Sequence, residues 1–165
     1  MKSVPKISLQ FSTETNIGSR ILHYYDHTWC SHVDAVLPNG GLLGAKGIGG
    51  VKIRDGKRLA KTLVVELETT PEKRKRFYDF CRDQIGKPYD FWGILAFAFN
   101  RNWRDDDSWF CSELISAALE YSGFFPYNIC AAHSKITPQN LLLMVNMFTP
   151  IKDPTVHRKF LLFNR

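Results

Sequence analysis

Cys111 stands in Trp109-Phe110-Cys111-Ser112-Glu113-Leu114-Ile115, and Leu114, Ile115, Ala118, Leu119 and Tyr121 recur at helical spacing behind it. The pattern predicts a buried helix with the cysteine in its first turn. Asp105, Asp106, Asp107 and Ser108 are N-cap candidates, Glu113 places an acid in the first turn, and Gly123 closes the helix. A thiol at such an end faces unpaired backbone N–H groups and the positive end of the macrodipole, which favour the thiolate nucleophile and leave amide donors for an oxyanion. Most unpaired cysteines are simply small buried apolar residues, so nucleophilic chemistry requires a base.

The base candidate is His32. The stretch from Trp29 to Ala45 reads as a strand, a Pro38-Asn39-Gly40-Gly41 turn and a second strand. Period-2 alternation puts His32, Asp34 and Val36 on one face and Val33, Ala35 and Leu37 on the other. His32, near the strand's start, is expected to point into a cleft.

The elements that must position these residues follow in chain order. Lys6 to Phe11 alternates as a strand, and Val51 to Arg54 and Thr62 to Glu68 read as two more around the Asp55-Gly56 turn, so the sheet is mostly N-terminal. Gly47, Gly49 and Gly50 lack both the dinucleotide spacing and the Walker lysine and form a turn-rich loop. From Pro71 the period changes to that of an amphipathic helix reaching about residue 85, with Gly86 as terminator. The apolar run Ile94 to Phe99 leads through an acidic loop to the Cys111 helix, and Thr137-Pro138 opens a last helix running to about Met147. A basic, proline-punctuated extension, about 150–165, ends in Phe160-Leu161-Leu162-Phe163.

With 165 residues, 44% of them hydrophobic and 13% aromatic, the chain is expected to form a single domain, 1–165. Residues 1–12 lack an apolar signal core and no apolar run is long enough to span a bilayer. The expectation is a soluble product, cytoplasmic as synthesised, with any delivery to the cell wall by another route. Cys30, Cys81, Cys111 and Cys130 include no CxxC pair and suit reduced thiols rather than a disulfide or zinc framework. The excess of 22 basic over 16 acidic residues gives +6, which favours an anionic partner; Lys73-Arg74-Lys75-Arg76 reads as a solvated helix face, and no nucleic-acid-binding motif accompanies it. His23, His27, Cys30 and His32 lie within ten residues and offer a competing metal site, but the strand expected at His32 conflicts with one helical face.

Gly86-x-Pro88-Tyr89-x-Phe91-Trp92-Gly93, followed by a Cys-Ser pair opening a buried helix, resembles the signature of the NlpC-type cell-wall peptidases, which are papain-like cysteine enzymes. In ordinary members the histidine follows the cysteine. Here it precedes it by about eighty residues, an order similar to the circularly permuted branch that includes YiiX-like proteins and lecithin:retinol acyltransferase relatives. The resemblance spans about residues 29–123.

It implies an α+β papain-like domain, an antiparallel sheet packed against the cysteine helix. Cys111 would be the nucleophile, His32 the base, and Tyr89, with the amides of Cys111 and Ser112, the oxyanion and substrate-binding groups. The departure is the third residue: the His or Glu that this branch carries about twelve positions after the base falls on Gly44. Asp34 is the substitute, although residues two apart on a strand are about 7 Å apart, far enough for the carboxylate to face water instead; His27, Asp26 or a backbone carbonyl are the alternatives. The implied activity is hydrolysis of amide or ester bonds through a Cys111 acyl-enzyme, with bacterial cell-wall peptide as the favoured substrate. Acyl transfer or lipid hydrolysis is the nearby alternative. A catalytically weak or inactive papain-like domain, serving as a structural or wall-binding component of an assembly such as a phage particle, is the other. No cofactor, metal or nucleic acid is implied.

Overall fold

The alternation of Lys6–Ser12 becomes the second-from-edge strand of a five-stranded antiparallel sheet. In the computed structural model, which describes residues 4–13, 29–56, 62–90, 108–126 and 136–149, the strands are β1 (Lys6–Ser12), β2 (His32–Val36), β3 (Leu42–Lys46), β4 (Gly50–Arg54) and β5 (Thr62–Glu68). They are ordered β4-β3-β2-β1-β5. Three helices follow: α1 (Pro71–Asp83), α2 (Cys111–Tyr121) and α3 (Pro138–Asn146). The predicted hairpin forms, closed by Leu37 N donating to Gly41 O at 2.8 Å. Gly40 takes φ 82°, a left-handed conformation that glycine adopts without a Cβ penalty.

Register places the chemistry. Ala35 pairs with Leu43 and Val36 with Leu42, and one further step sets Asp34 opposite Gly44. Leu42 in turn pairs with Arg54 and Gly44 with Lys52. Directly opposed residues share a face, so His32, Asp34, Gly44 and Arg54 all project from the same side of the sheet. Their odd-numbered neighbours Val33, Ala35 and Leu43 join Ile7, Leu9, Phe11, Leu114, Ile115 and Leu141 in the hydrophobic core. Strand β2 is therefore buried on both faces, and a polar cluster on one of them must satisfy itself internally.

The helices end where their sequences direct. Thr70 and Thr137 cap α1 and α3 by accepting from Lys73 N and Asn140 N, each with proline in the first turn. The expected cap of α2 is corrected: the N-cap is Phe110, which has no side-chain oxygen, and the Glu113 carboxylate reaches back to Phe110 N at 3.4 Å instead. Asp105 to Asp107 lie outside the described residues, as do the 94–99 run and the 150–165 extension. The basic run on α1 is partly engaged within the fold: Arg74 donates to Lys6 O and lies over Tyr78, Arg76 lies over Tyr121, and Lys75 pairs with Asp79.

Tyr78 pins α1 to the sheet, its hydroxyl donating to Val36 O at 2.7 Å and accepting from Ser8 N at 3.3 Å. Tyr78→Phe leaves both backbone groups short of a partner and is expected to cost about 1–3 kcal/mol, read as a lower denaturant midpoint at unchanged m-value.

Candidate active site

Two short segments far apart in sequence are stitched together to present Cys111. Tyr89 and Trp109 form a parallel bridge, with Trp109 N donating to Pro88 O at 3.0 Å and Asp90 N to Trp109 O at 3.2 Å. On its other side the Gly86-Lys87 turn exchanges hydrogen bonds with Val51 of β4 (Val51 N to Lys87 O and Gly86 N to Val51 O, both 2.9 Å). This contact needs Gly50: a Cβ there would collide with the carbonyl of Lys87. The Gly-x-Pro-Tyr segment thus bridges the sheet and the entry to α2, and the Tyr89 ring meets Phe110 edge-on at 5.9 Å.

Helix α2 begins at Cys111, whose first-turn amides have no acceptors within the helix. His32 of β2 faces Cys111 closely enough for the sulfur to add to the Asp34 carboxylate in favouring the charged imidazole. His32 Nε2 lies 3.1 Å from Asp34 Oδ2. Asp34 Oδ1 is bound in turn by Arg54 Nη2 at 2.5 Å, and Arg54 Nη1 reaches Gly44 O at 3.5 Å. Arg54 Nη2 also stands 3.5 Å from His32 Nε2. That nitrogen cannot both donate to the carboxylate and accept from the guanidinium. The shorter, charge-assisted contact to Asp34 decides the tautomer, with the proton on Nε2.

The expected 7 Å gap between His32 and Asp34 is corrected. Both side chains lean along the strand on the same face, and the absence of a side chain at Gly44 gives the carboxylate its room. A Cβ built at Gly44 would fall closer to Asp34 Oδ1 than real Cβ atoms approach. Asp34 therefore fills the volume that a side chain at position 44 would occupy. Arg54 was not anticipated from sequence. Its even-numbered place beside a glycine at the next strand's position 44 was the available signal, visible once register is known.

Electrostatics follow from this packing. Burial opposes charge on His32, but the Asp34 carboxylate and then the Cys111 sulfur outweigh it and hold the imidazole well above its ordinary value of 6.5. Burial likewise opposes ionisation of Asp34, and His32 followed by Arg54 overcomes it, so its carboxyl stays below 3.8. The arrangement favours a charged imidazolium between a carboxylate and a sulfur.

Two expectations are revised. Cys111 is fully buried rather than open in a cleft, so a substrate carbonyl reaches Sγ only if covering groups move aside. A cavity of about 520 Å³, lined by residues 39–41 and 53–56, touches the cluster only through Arg54. The Ser112 hydroxyl donates to Ile136 O and ties α2 to the segment entering α3, so its side chain is structural and only its amide faces the helix start. Cys81 is buried and its thiol is pushed far above the ordinary range, while Cys30 donates to Gln139 Oε1 at 3.3 Å. His23 and His27 of the competing metal site lie outside the described residues, among which no three His, Cys, Asp or Glu side chains group as metal ligands. Of its two described members, Cys30 is engaged by Gln139, and His32 sits against Asp34 with the Arg54 cation 3.5 Å from its Nε2, a poor setting for a second positive ion.

The sequence matches no protein-family model and no curated protein. Among solved structures the fold is similar to that of the metalloprotein YiiX from Escherichia coli O157:H7, with a TM-score of 0.52 at 20% identity over 74% of this chain and 68% of that one. The class defined by fold and topology is thus an α+β, YiiX-like architecture. No described helix is long and apolar enough to cross a membrane.

Proposed function

We propose that this chain is a papain-like, circularly permuted thiol hydrolase that cleaves an amide or ester bond through an acyl-enzyme on Cys111. The observation that carries the reading is the buried His32–Asp34 pair on a strand face, with the His32 imidazole facing Cys111 at the start of α2. Cys111 Sγ attacks the carbonyl carbon, the first-turn amides and the Tyr89 region receive the oxyanion, and His32 gives its proton to the leaving amine or alcohol. Water then attacks the thioester, with His32 as base, releasing the acid and restoring the thiol. Asp34 orients the imidazole and stabilises its charged form. The resemblance of the Gly-x-Pro-Tyr and Cys-Ser segments to cell-wall enzymes, with the +6 charge, favours an anionic wall peptide as substrate.

Incubation of the full chain with muropeptides and with activated acyl esters, followed by acid quench and intact-mass analysis, tests this. The expected result is an acyl mass on Cys111 that forms and decays, and that Cys111→Ala abolishes. The complete burial of Cys111 favours a second reading, an inert domain that binds the wall. In that case no acyl adduct accumulates, and co-sedimentation with purified peptidoglycan is the same for wild type and Cys111→Ala.

A further inference from the structure

We infer that Arg54 is a positioning residue: its guanidinium holds the Asp34 carboxylate in the space over Gly44 and, through it, fixes the His32 ring against Cys111. The inference rests on the Cys111–His32 reading above and adds to it the group that makes Asp34 an orienter. Asp34 and His32 are only two residues apart on one strand, so an unsupported Asp34 side chain has other rotamers, including one across the strand toward Gln10, its partner on β1. Arg54 removes that freedom by gripping Oδ1 with Nη2 and anchoring its other arm to Gly44 O, which leaves Oδ2 for His32. The glycine serves twice, as the space the carboxylate fills and as the carbonyl that seats the guanidinium.

The charge order is Arg54, Asp34, His32, Cys111, with alternating sign when the pair is ionised. The groups facing Asp34 are His32 from its own strand, Arg54 from β4 and the Gly44 backbone from β3, while Cys111 of α2 faces His32. Arg54 is the outer member, its side chain 16% exposed against 3% for Asp34. It is thus held at the solvent edge of a buried array. Lysine at this position would keep the charge, but as a point donor it could not span both Oδ1 and Gly44 O.

The test is the pH dependence of Cys111 alkylation by iodoacetamide, followed by peptide mapping of the full-length protein, for wild type, Arg54→Gln, Arg54→Lys, Asp34→Asn and the Arg54→Gln/Asp34→Asn pair. Loss of the guanidinium lets Asp34 take up a proton at higher pH, which removes the partner of the imidazolium. The acid limb in Arg54→Gln is therefore expected to move up by about 1–3 pH units. Arg54→Lys should restore most of that shift, and Arg54→Gln should add nothing once Asp34 is asparagine. If Arg54→Gln does not fold, the lysine variant carries the test through the His32 ring titration by NMR, which should differ from wild type because the fork is lost. Rates lowered by one factor at every pH, with the limb unmoved, would make Arg54 a packing residue and overturn the assignment. A profile unchanged in His32→Ala sinks the hydrolase reading itself, whereas an altered His32→Ala with an unaltered Arg54→Gln sinks only the role of Arg54.

Discussion

His32→Ala is expected to lower Cys111-dependent hydrolysis by about 10²–10⁴-fold, the usual contribution of a positioned acid–base group. The same variant should slow iodoacetamide labelling of Cys111 most strongly at low pH, where the imidazolium does most to favour the thiolate. The helix start remains in the variant, so labelling is reduced rather than abolished. Stability supplies an independent readout. Because the folded His32 titrates above 6.5, its contribution is fully present below that pH and is lost as pH rises through the folded value. The melting-temperature gap between wild type and His32→Ala should therefore be widest in mild acid and shrink toward alkaline pH. Superimposable labelling profiles for the two proteins would show that histidine and thiol are uncoupled, and the wall-binding reading would stand in place of the hydrolase.

What was legible in the sequence was what local pattern controls. The β2–β3 hairpin follows from Pro-Asn-Gly-Gly between alternating runs, α1 from Thr70-Pro71, and α2 from the spacing behind Cys111. The pairing of Cys111 with His32 was expected from the resemblance of the Gly-x-Pro-Tyr and Cys-Ser motifs, not from local periodicity, which places a helix start and a strand but not their contact. Two features depend on cross-strand register and side-chain rotamers, which sequence spacing does not encode. One is that Asp34 leans back to His32 despite the repeat of the strand. The other is Arg54, which is near Asp34 only because β3 lies between them and carries no side chain at position 44. The cap of α2 was misplaced for a related reason: four consecutive polar residues upstream are strong N-cap types, yet the N-cap is Phe110, with Glu113 satisfying its amide from inside the first turn.

The fold alone does not decide between hydrolase and binding module, since similar architectures serve unrelated functions. The polar chain from Arg54 to Cys111 is more informative. A buried ion-paired array is weak support for stability, because desolvation offsets much of its attraction, and an apolar cluster of equal volume would fold as well or better. A domain used only for wall binding has no need for a charged histidine beneath a helix N-terminus. The hydrolase reading thus gives the array a use at the thiol that packing does not require of it.

Gly44→Ala should be more damaging than a methyl group on a strand ordinarily is. The backbone there is ordinary for any residue, so the whole effect comes from the new Cβ meeting Asp34 Oδ1. Overpacking of this kind costs about 1–3 kcal/mol, and the displaced carboxylate should release His32, reproducing much of the Asp34→Ala loss of reactivity. In Asp34→Ala/Gly44→Ala the collision is gone, so the double variant should be more stable than the sum of the single effects predicts, with a coupling of about 0.5–3 kcal/mol in denaturant unfolding. The cycle can be taken one step further. Asp34→Ala/Gly44→Glu moves the carboxylate from β2 to β3 and into the same volume, facing the same imidazole. It should recover a measurable part of the His32-dependent labelling that Asp34→Ala loses, while Asp34→Ala/Gly44→Gln, which fills the space without the charge, should recover less. Strict additivity of the two alanine substitutions, together with no recovery from glutamate, would mean that Asp34 does not stand in for a side chain at position 44 and that the imidazole is oriented by some other group.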